Sequence, residues 1–457
     1  MIDRSLLAGL QDIVGADQVL TDADDRASFE TDWTGRFVGS TPAVVRPGST
    51  AEVAAIIDLC RNTGVAIVPQ GGNTGLVGGG VPLHGEIVLS LSRLNGIGPV
   101  DIEARQVTVG AGAILADVRD AAARAGLAYA VDLGARGSAT IGGTIATNAG
   151  GINLIRYGGT REQIIGVEAV LGTGETISHL GGLHKDNTGY HLAGLLCGSE
   201  GTLGIVTAAR LRLVAQHQHR VAALIGFATV EAAIAAVASV RAELDSLEAA
   251  EIMLAPGVQL VAETFGLVAP LAGSPAVLLL LEVADHDDPT DAFAAVISAI
   301  DDVVDAAVAT DATRRTALWR FREEHTLAIS TLGTPHKLDV TLPISRLAEF
   351  MATVPLVVAD DVADVAPDAR TWLFGHVGDG NIHVNITGLD RDDERCDDAV
   401  LRYVASLGGS ISAEHGIGTA KVAWLHLNRS PAEIGAMRAI KSALDPAGIL
   451  NPHVLLP

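Results

Sequence analysis

Up to about Leu213 the chain sets short apolar runs between glycine-rich stretches, a pattern that predicts short strands joined by tight loops. Within it, apolar positions recurring every three or four residues predict helices over residues 51–62 and 113–125, after an amphipathic helix at the start. From His217 to about Leu356 the glycines thin out, and apolar helices such as residues 230–244 alternate with strand-like runs such as residues 276–283. A separate sheet covered by helices is the α+β expectation there. The remainder holds a histidine-rich hairpin, a Glu-His segment and an alanine-rich helix around residues 434–444.

The hairpin spans residues 375–385. If residues 378–381 form its loop, Val377 pairs with Ile382 and His376 lies directly opposite His383, within reach of one ion. Asn385 is two residues beyond His383 and points to the same face. Glu414, followed at once by His415, offers a third ligand, and two histidines with one glutamate form a ligand set of open catalytic zinc sites. A satisfied structural histidine cluster accounts for the same spacing.

With 457 residues, 48% hydrophobic and 19% charged, the chain is expected to form two or three domains. The net charge of -23 argues against nucleic acid or an anionic membrane as partner, so an anionic substrate needs local cations. Cys60, Cys197 and Cys396 form no CxxC and no even framework, which fits a reducing compartment. The opening residues lack a basic region followed by an apolar core, so the chain reads as uncleaved and cytoplasmic. Apolar runs such as residues 232–238 and 276–281 fall far short of a membrane span.

Three small-residue segments carry further chemistry. In residues 69–82, Pro69 is followed by Gly71, Gly72, Asn73, Thr74, Gly75 and Gly79, and successive amides without Cβ obstruction can form an anion-binding nest. The loop lacks the Lys-Ser or Lys-Thr ending of a P-loop, and Leu115 stands where a Rossmann fingerprint needs its third glycine. A plain turn is the simpler reading of any one glycine loop. The second segment holds Gly137, Ser138, Thr140, Gly143, Asn148, Gly150 and Gly151, with Tyr157 following. Small residues this dense suit backbone lying against a large flat ligand, with Ser138, Thr140 and Asn148 free to bond its polar edge. Glu200, Gly204 and Ile205 belong to a third segment of the same character.

Elsewhere, Arg322 and Thr326 are spaced i and i+4 on a predicted helix, and Lys337 follows on a predicted strand. Two cations and a hydroxyl suit a carboxylate remote from the reacting carbon. A surface helix with solvated Arg-Glu pairs is the alternative.

In this order, these segments and residues 337–343 resemble the FAD-dependent D-2-hydroxyacid dehydrogenases, within the vanillyl-alcohol-oxidase-like flavoproteins. The resemblance implies a two-subdomain FAD-binding module of that type over residues 1–215. It implies a substrate domain with an antiparallel sheet flanked by helices over residues 216–403, and a segment over residues 404–457 that closes the active site and packs on the FAD domain. Residues 69–82 would hold the FAD pyrophosphate and residues 137–151 would border the flavin, with Tyr157, Glu200, Gly204, Ile205 and Asn451 also lining the cofactor. Some relatives tether the flavin through histidine or cysteine in the glycine loops, whereas this loop has Asn73 and no histidine before His84, so the FAD is expected to be non-covalent.

His376, His383 and Glu414 are the implied ligands of a divalent metal, zinc by ligand type, with manganese, iron or cobalt as alternatives. Asn385 would orient substrate, and His415 would remove the hydroxyl proton as hydride leaves for the flavin. Arg322, Thr326 and Lys337 imply D-2-hydroxyglutarate or a related diacid such as D-malate. D-lactate or glycolate dehydrogenation, an oxidase, and a non-enzymatic FAD-binding subunit stay as alternatives. The implied partners are a separate acceptor (an electron-transfer flavoprotein, a quinone or a cytochrome) and a second copy in a homodimer.

Overall fold

The computed structural model describes residues 3–183 and 185–457. The chain divides into two compact units, one made of residues up to Gly151 with Gly158–Gln216 and Glu414–Pro457, the other of Ile152–Tyr157 and His217–Ala413. The architecture is α+β throughout, as the alternation of patterns predicts. Among the described residues no helix is long and apolar enough to cross a membrane.

The first unit is built on two four-stranded sheets. In one, Val44–Val45, Ile87–Ser90 and Ile67–Gln70 run parallel, with Val19–Leu20 antiparallel at the edge. The other is antiparallel, in the order Gln106–Gly110, Gly204–Arg212, Ile164–Leu171, Thr176–Ser178. The helix expected at residues 51–62 spans Thr50–Thr63. Ser49 begins it by accepting from the Glu52 amide, and Gly64 ends it in the left-handed conformation that glycine adopts without Cβ strain. Its buried stripe, Val53, Ile56, Ile57 and Cys60, follows the helical period and joins the core that also takes in Ile67, Ile87 and Val170.

The second unit is one seven-stranded antiparallel sheet, in the order Val303–Ala309, His219–Phe227, Val277–Asp285, Leu247–Leu254, Arg370–His376, Asn381–Thr387, His336–Thr341. One face packs Met253, Leu278, Leu280 and Phe374 against Val258, Val261, Trp319 and Ile329 of the covering helices. On the other face the helix Arg395–Ser406 is fixed where His336 Nδ1 lies 3.0 Å from the Asp397 carboxylate.

Two local expectations are corrected. The hairpin loop is residues 377–380, so His376 pairs with Asn381 and His383 with Phe374, and the two histidines are diagonal neighbours on one face. The register is set because Gly380 takes the positive φ of 85°, while Asn381 is drawn into the sheet by bonds to Asp339 (2.7 Å) and the Val340 carbonyl (3.0 Å). The helix carrying Arg322 and Thr326 is two, Ala312–Glu323 and His325–Ser330. The buried His325 ring puts Nδ1 2.5 Å from the Phe321 carbonyl oxygen, the acceptor that a continuous helix would give the His325 amide.

Candidate functional site

In the first unit the glycine segments meet backbone to backbone. A Cβ on Gly72 would fall 1.9 Å from the Ser138 carbonyl oxygen and one on Gly71 2.2 Å from Thr140 Oγ1, whereas Gly75 faces open space. Asn73 continues the loop at a φ of 52°, held by its side-chain amide, which donates to the carbonyls of Ser28 (3.2 Å) and Thr31 (2.8 Å). Among the described residues, no backbone N–H of residues 71–80 donates to a protein acceptor. A run of amides in that state suits an anion, and a pyrophosphate fits it.

Other expected cofactor residues work within the protein. Thr140 accepts from the Gly143 amide at 3.3 Å and starts the helix Ile141–Thr147, which Asn148 ends at a φ of 52° while accepting from the Arg161 amide at 3.0 Å. Gly137 and Ser138 are exposed, and Gly150 is buried. Gly204 and Ile205 open a central strand, with Ile205 in the core. Pro69 lies in the strand Ile67–Gln70 and leaves room for no side chain at Gly201. Tyr157 is in the second unit, where its hydroxyl donates to Glu248 at 2.6 Å.

The chain that returns at Glu414 is tied to the glycine segments by three contacts. Glu414 accepts from the Gly151 amide at 3.1 Å. Asn451 donates from Nδ2 to the carbonyls of Gly79 (2.9 Å) and Glu200 (2.8 Å). The Glu200 carboxylate accepts from the amides of Ile417 (2.8 Å) and Gly418 (2.7 Å). Burial lifts the Glu200 pKa from its ordinary 4.5 to about 7, against the pull of those two donors. A carboxyl with a folded pKa above its unfolded value stabilises the protein fully below the unfolded value, and the contribution fades as pH rises through the folded one. The melting temperature is therefore expected to fall between pH 4.5 and 7 more steeply in the wild type than in Glu200→Gln.

In the second unit, one sheet face gathers polar side chains at its buried end. His376 and His383 have ring centroids 5.2 Å apart, nearly edge to face. Each is oriented through Nδ1 by a fully buried carboxylate, Glu251 at 2.6 Å for His376 and Asp339 at 3.2 Å for His383. Metal-bound histidines are commonly held this way, with Nε2 as the ligand atom, so the pair fits a metal. Burial alone would raise the Glu251 carboxyl, yet the charges of His376 and Arg322 hold it below the usual range.

Arg322 is 8% exposed, donates from Nε to Glu251 at 2.5 Å and lies 4.7 Å from the Phe374 ring centroid. It is thus no solvated surface arginine. Lys337 pairs across strands with Asn385, 3.5 Å from Nζ to Oδ1, and burial pushes its pKa down to about 8. Thr326 is half-buried in the short helix after the break. In the first unit, His415 Nε2 stands 3.9 Å from the adjacent Glu414 carboxylate, beyond hydrogen-bonding reach.

The model of an FAD binding domain matches residues 41–179, and that of the C-terminal domain of FAD linked oxidases matches residues 216–455. A D-2-hydroxyglutarate dehydrogenase of Xanthomonas citri pv. viticola is 39% identical over 100% of this chain and 97% of its own. The chain belongs to the FAD-dependent D-2-hydroxyacid dehydrogenase family. A mitochondrial D-2-hydroxyglutarate dehydrogenase of Danio rerio is 34% identical over 99% of this chain and 84% of its own. A D-2-hydroxyglutarate–pyruvate transhydrogenase of Saccharomyces cerevisiae is also 34% identical, over 99% and 94%. Among solved structures, p-cresol methylhydroxylase aligns with a TM-score of 0.79 at 17% identity over 98% of this chain and 96% of that one. Alkyldihydroxyacetonephosphate synthase aligns with a TM-score of 0.78 at 17% over 99% and 85%. These likenesses make this family member an FAD-linked oxidoreductase with the vanillyl-alcohol-oxidase-like fold.

The orienting carboxylates are what residue spacing missed. Glu251 is one of two acids, with Glu248, in the otherwise apolar strand Leu247–Leu254, and charges in such a run are a signal of buried partners. Asp339 alternates with Lys337 along its strand, so the same period of two that places the lysine also places the acid. Gln70, whose amide donates to the carbonyls of Phe29 (3.0 Å) and Gly80 (2.8 Å), closes the glycine loop and carries no comparable signal.

Proposed function

We propose that this family member oxidises D-2-hydroxyglutarate, and related D-2-hydroxy diacids such as D-malate, to the 2-oxo acid. The observation that carries the reading is a pair of buried cations, Lys337 on the sheet face that also carries His376 and His383, and Arg322 on the helix Ala312–Glu323 against Glu251 and Phe374 of that sheet. Glu251 meets Arg322 through Nε, which leaves the Nη pair of Arg322, with the buried Lys337 ammonium, to suit a substrate carboxylate.

When bound, FAD accepts the hydride, and a divalent metal, zinc by ligand type, polarises the substrate hydroxyl. His376, His383 and Glu414 are the residues that would hold the metal. Asn385 orients the substrate, and Arg322, Thr326 and Lys337 bind its remote carboxylate. His415 takes the hydroxyl proton. The amides of residues 71–80 hold a non-covalent FAD through its pyrophosphate. The acceptor of the electrons is an electron-transfer flavoprotein, a quinone or a cytochrome, and the name of the Saccharomyces cerevisiae relative adds a 2-oxo acid to that set. The enzyme works as a homodimer in the cytoplasm, in keeping with its unpaired cysteines.

A monocarboxylate such as D-lactate or glycolate gives the remote cations nothing to bind, which separates the two substrate readings. Anaerobic addition of D- and L-2-hydroxyglutarate, D-malate, D-lactate and glycolate to the yellow protein is expected to bleach the flavin fastest with D-2-hydroxyglutarate. Faster bleaching by D-lactate would overturn the assignment.

A further inference from the structure

Glu251 touches both halves of the recognition surface in the second unit. Its Oε1 lies 2.6 Å from His376 Nδ1 and its Oε2 accepts from Arg322 Nε at 2.5 Å, with the carboxylate 0% exposed. One acid thus meets a residue assigned to the metal and a residue assigned to the remote carboxylate. We propose that Glu251 is a positioning residue that couples metal binding to diacid selectivity. This rests on the function proposed above, and it assigns a role to a residue that neither touches the substrate nor ligates the metal.

The chemistry follows from donor and acceptor counts. His376 with its proton on Nδ1 presents Nε2 as the ligand nitrogen, and a carboxylate on that proton raises the basicity of the ring. Arg322 bonded through Nε has its guanidinium plane fixed, and the Phe374 ring 4.7 Å away supports one side of that plane. Among the described residues, the two Nη groups of Arg322 meet no protein acceptor, so they are the pair available to a substrate carboxylate. Both protein contacts of Glu251 are donors, and only an ionised carboxylate offers each an oxygen. A glutamine in its place satisfies one donor and turns an N–H towards the other. Neighbouring Asp339 does the corresponding work for His383 and Asn381.

The test uses the full-length flavoprotein. Zinc affinity is measured by chelator competition without turnover, and KM and kcat are measured for D-2-hydroxyglutarate and for D-lactate. Glu251→Gln is expected to weaken zinc binding by roughly 10- to 100-fold, the usual effect of losing an outer-shell partner. At saturating zinc it is expected to raise KM for D-2-hydroxyglutarate about tenfold, as one contact worth about 1.4 kcal/mol would, with KM for D-lactate little changed. Arg322→Lys, which keeps the charge but loses the Nε contact, is expected to shift the zinc affinity several-fold although it is no ligand. It also serves if Glu251→Gln does not fold. Zinc affinity within about twofold of wild type in whichever variants fold, with an unaltered ratio of the two KM values in Glu251→Gln where that variant folds, would overturn the coupling. A wild type that binds no divalent metal, or prefers D-lactate, would overturn the function beneath it, and that outcome is read before any variant is made.

Discussion

His415→Ala is expected to retain flavin and metal while turnover falls by about a hundredfold or more, the usual contribution of a positioned base. In the proposed site the flavin would be held by backbone amides and the metal by Glu414 with His376 and His383, so neither would depend on the His415 ring. Its Nε2 is 3.9 Å from the Glu414 carboxylate, too far for the acid to hold it by a hydrogen bond. The decisive measurement is the rate of flavin reduction in a single anaerobic turnover, with FAD and metal content quantified in the same sample. Reduction at the wild-type rate would show that another group takes the proton.

Gly72→Ala is expected to deprive the protein of FAD. The added methyl would fall 1.9 Å from a backbone carbonyl oxygen, so the loop, residues 138–140, or both must move apart. Overpacking of this kind typically costs 1–3 kcal/mol and occasionally more, which at the upper end weakens cofactor binding about a hundredfold. Gly96→Ala is the matched control. It lies in the same unit, outside the glycine segments, with no protein atom within 4 Å of the new carbon, and should bind FAD as the wild type does. The comparison needs only FAD titration of the two apoproteins; equal affinities would remove the close-approach argument.

Much of the site was legible because its signals are local. Two histidines, an asparagine and a lysine on neighbouring strands share a face whenever their spacing is even, and an error of one residue in the loop left that parity intact. The glycine loops were equally readable, since a tight backbone approach excludes every other residue. The break between Glu323 and His325 was not readable, because a buried ring competing for the Phe321 carbonyl is a tertiary event that the helical period does not announce. Glu251 escaped for the same reason. Its partners are 71 and 125 residues away in sequence, and only the strand order brings them together. Thr140 and Asn148 illustrate the opposite limit, as small polar residues that look ready for a ligand also begin and end helices.

Asn451 donates to the carbonyl of Gly79, a residue 372 positions earlier. During synthesis the loop proposed to receive the flavin phosphates is therefore made long before the side chain that braces it. A nascent chain stalled within the second unit would therefore present that loop without its Asn451 brace.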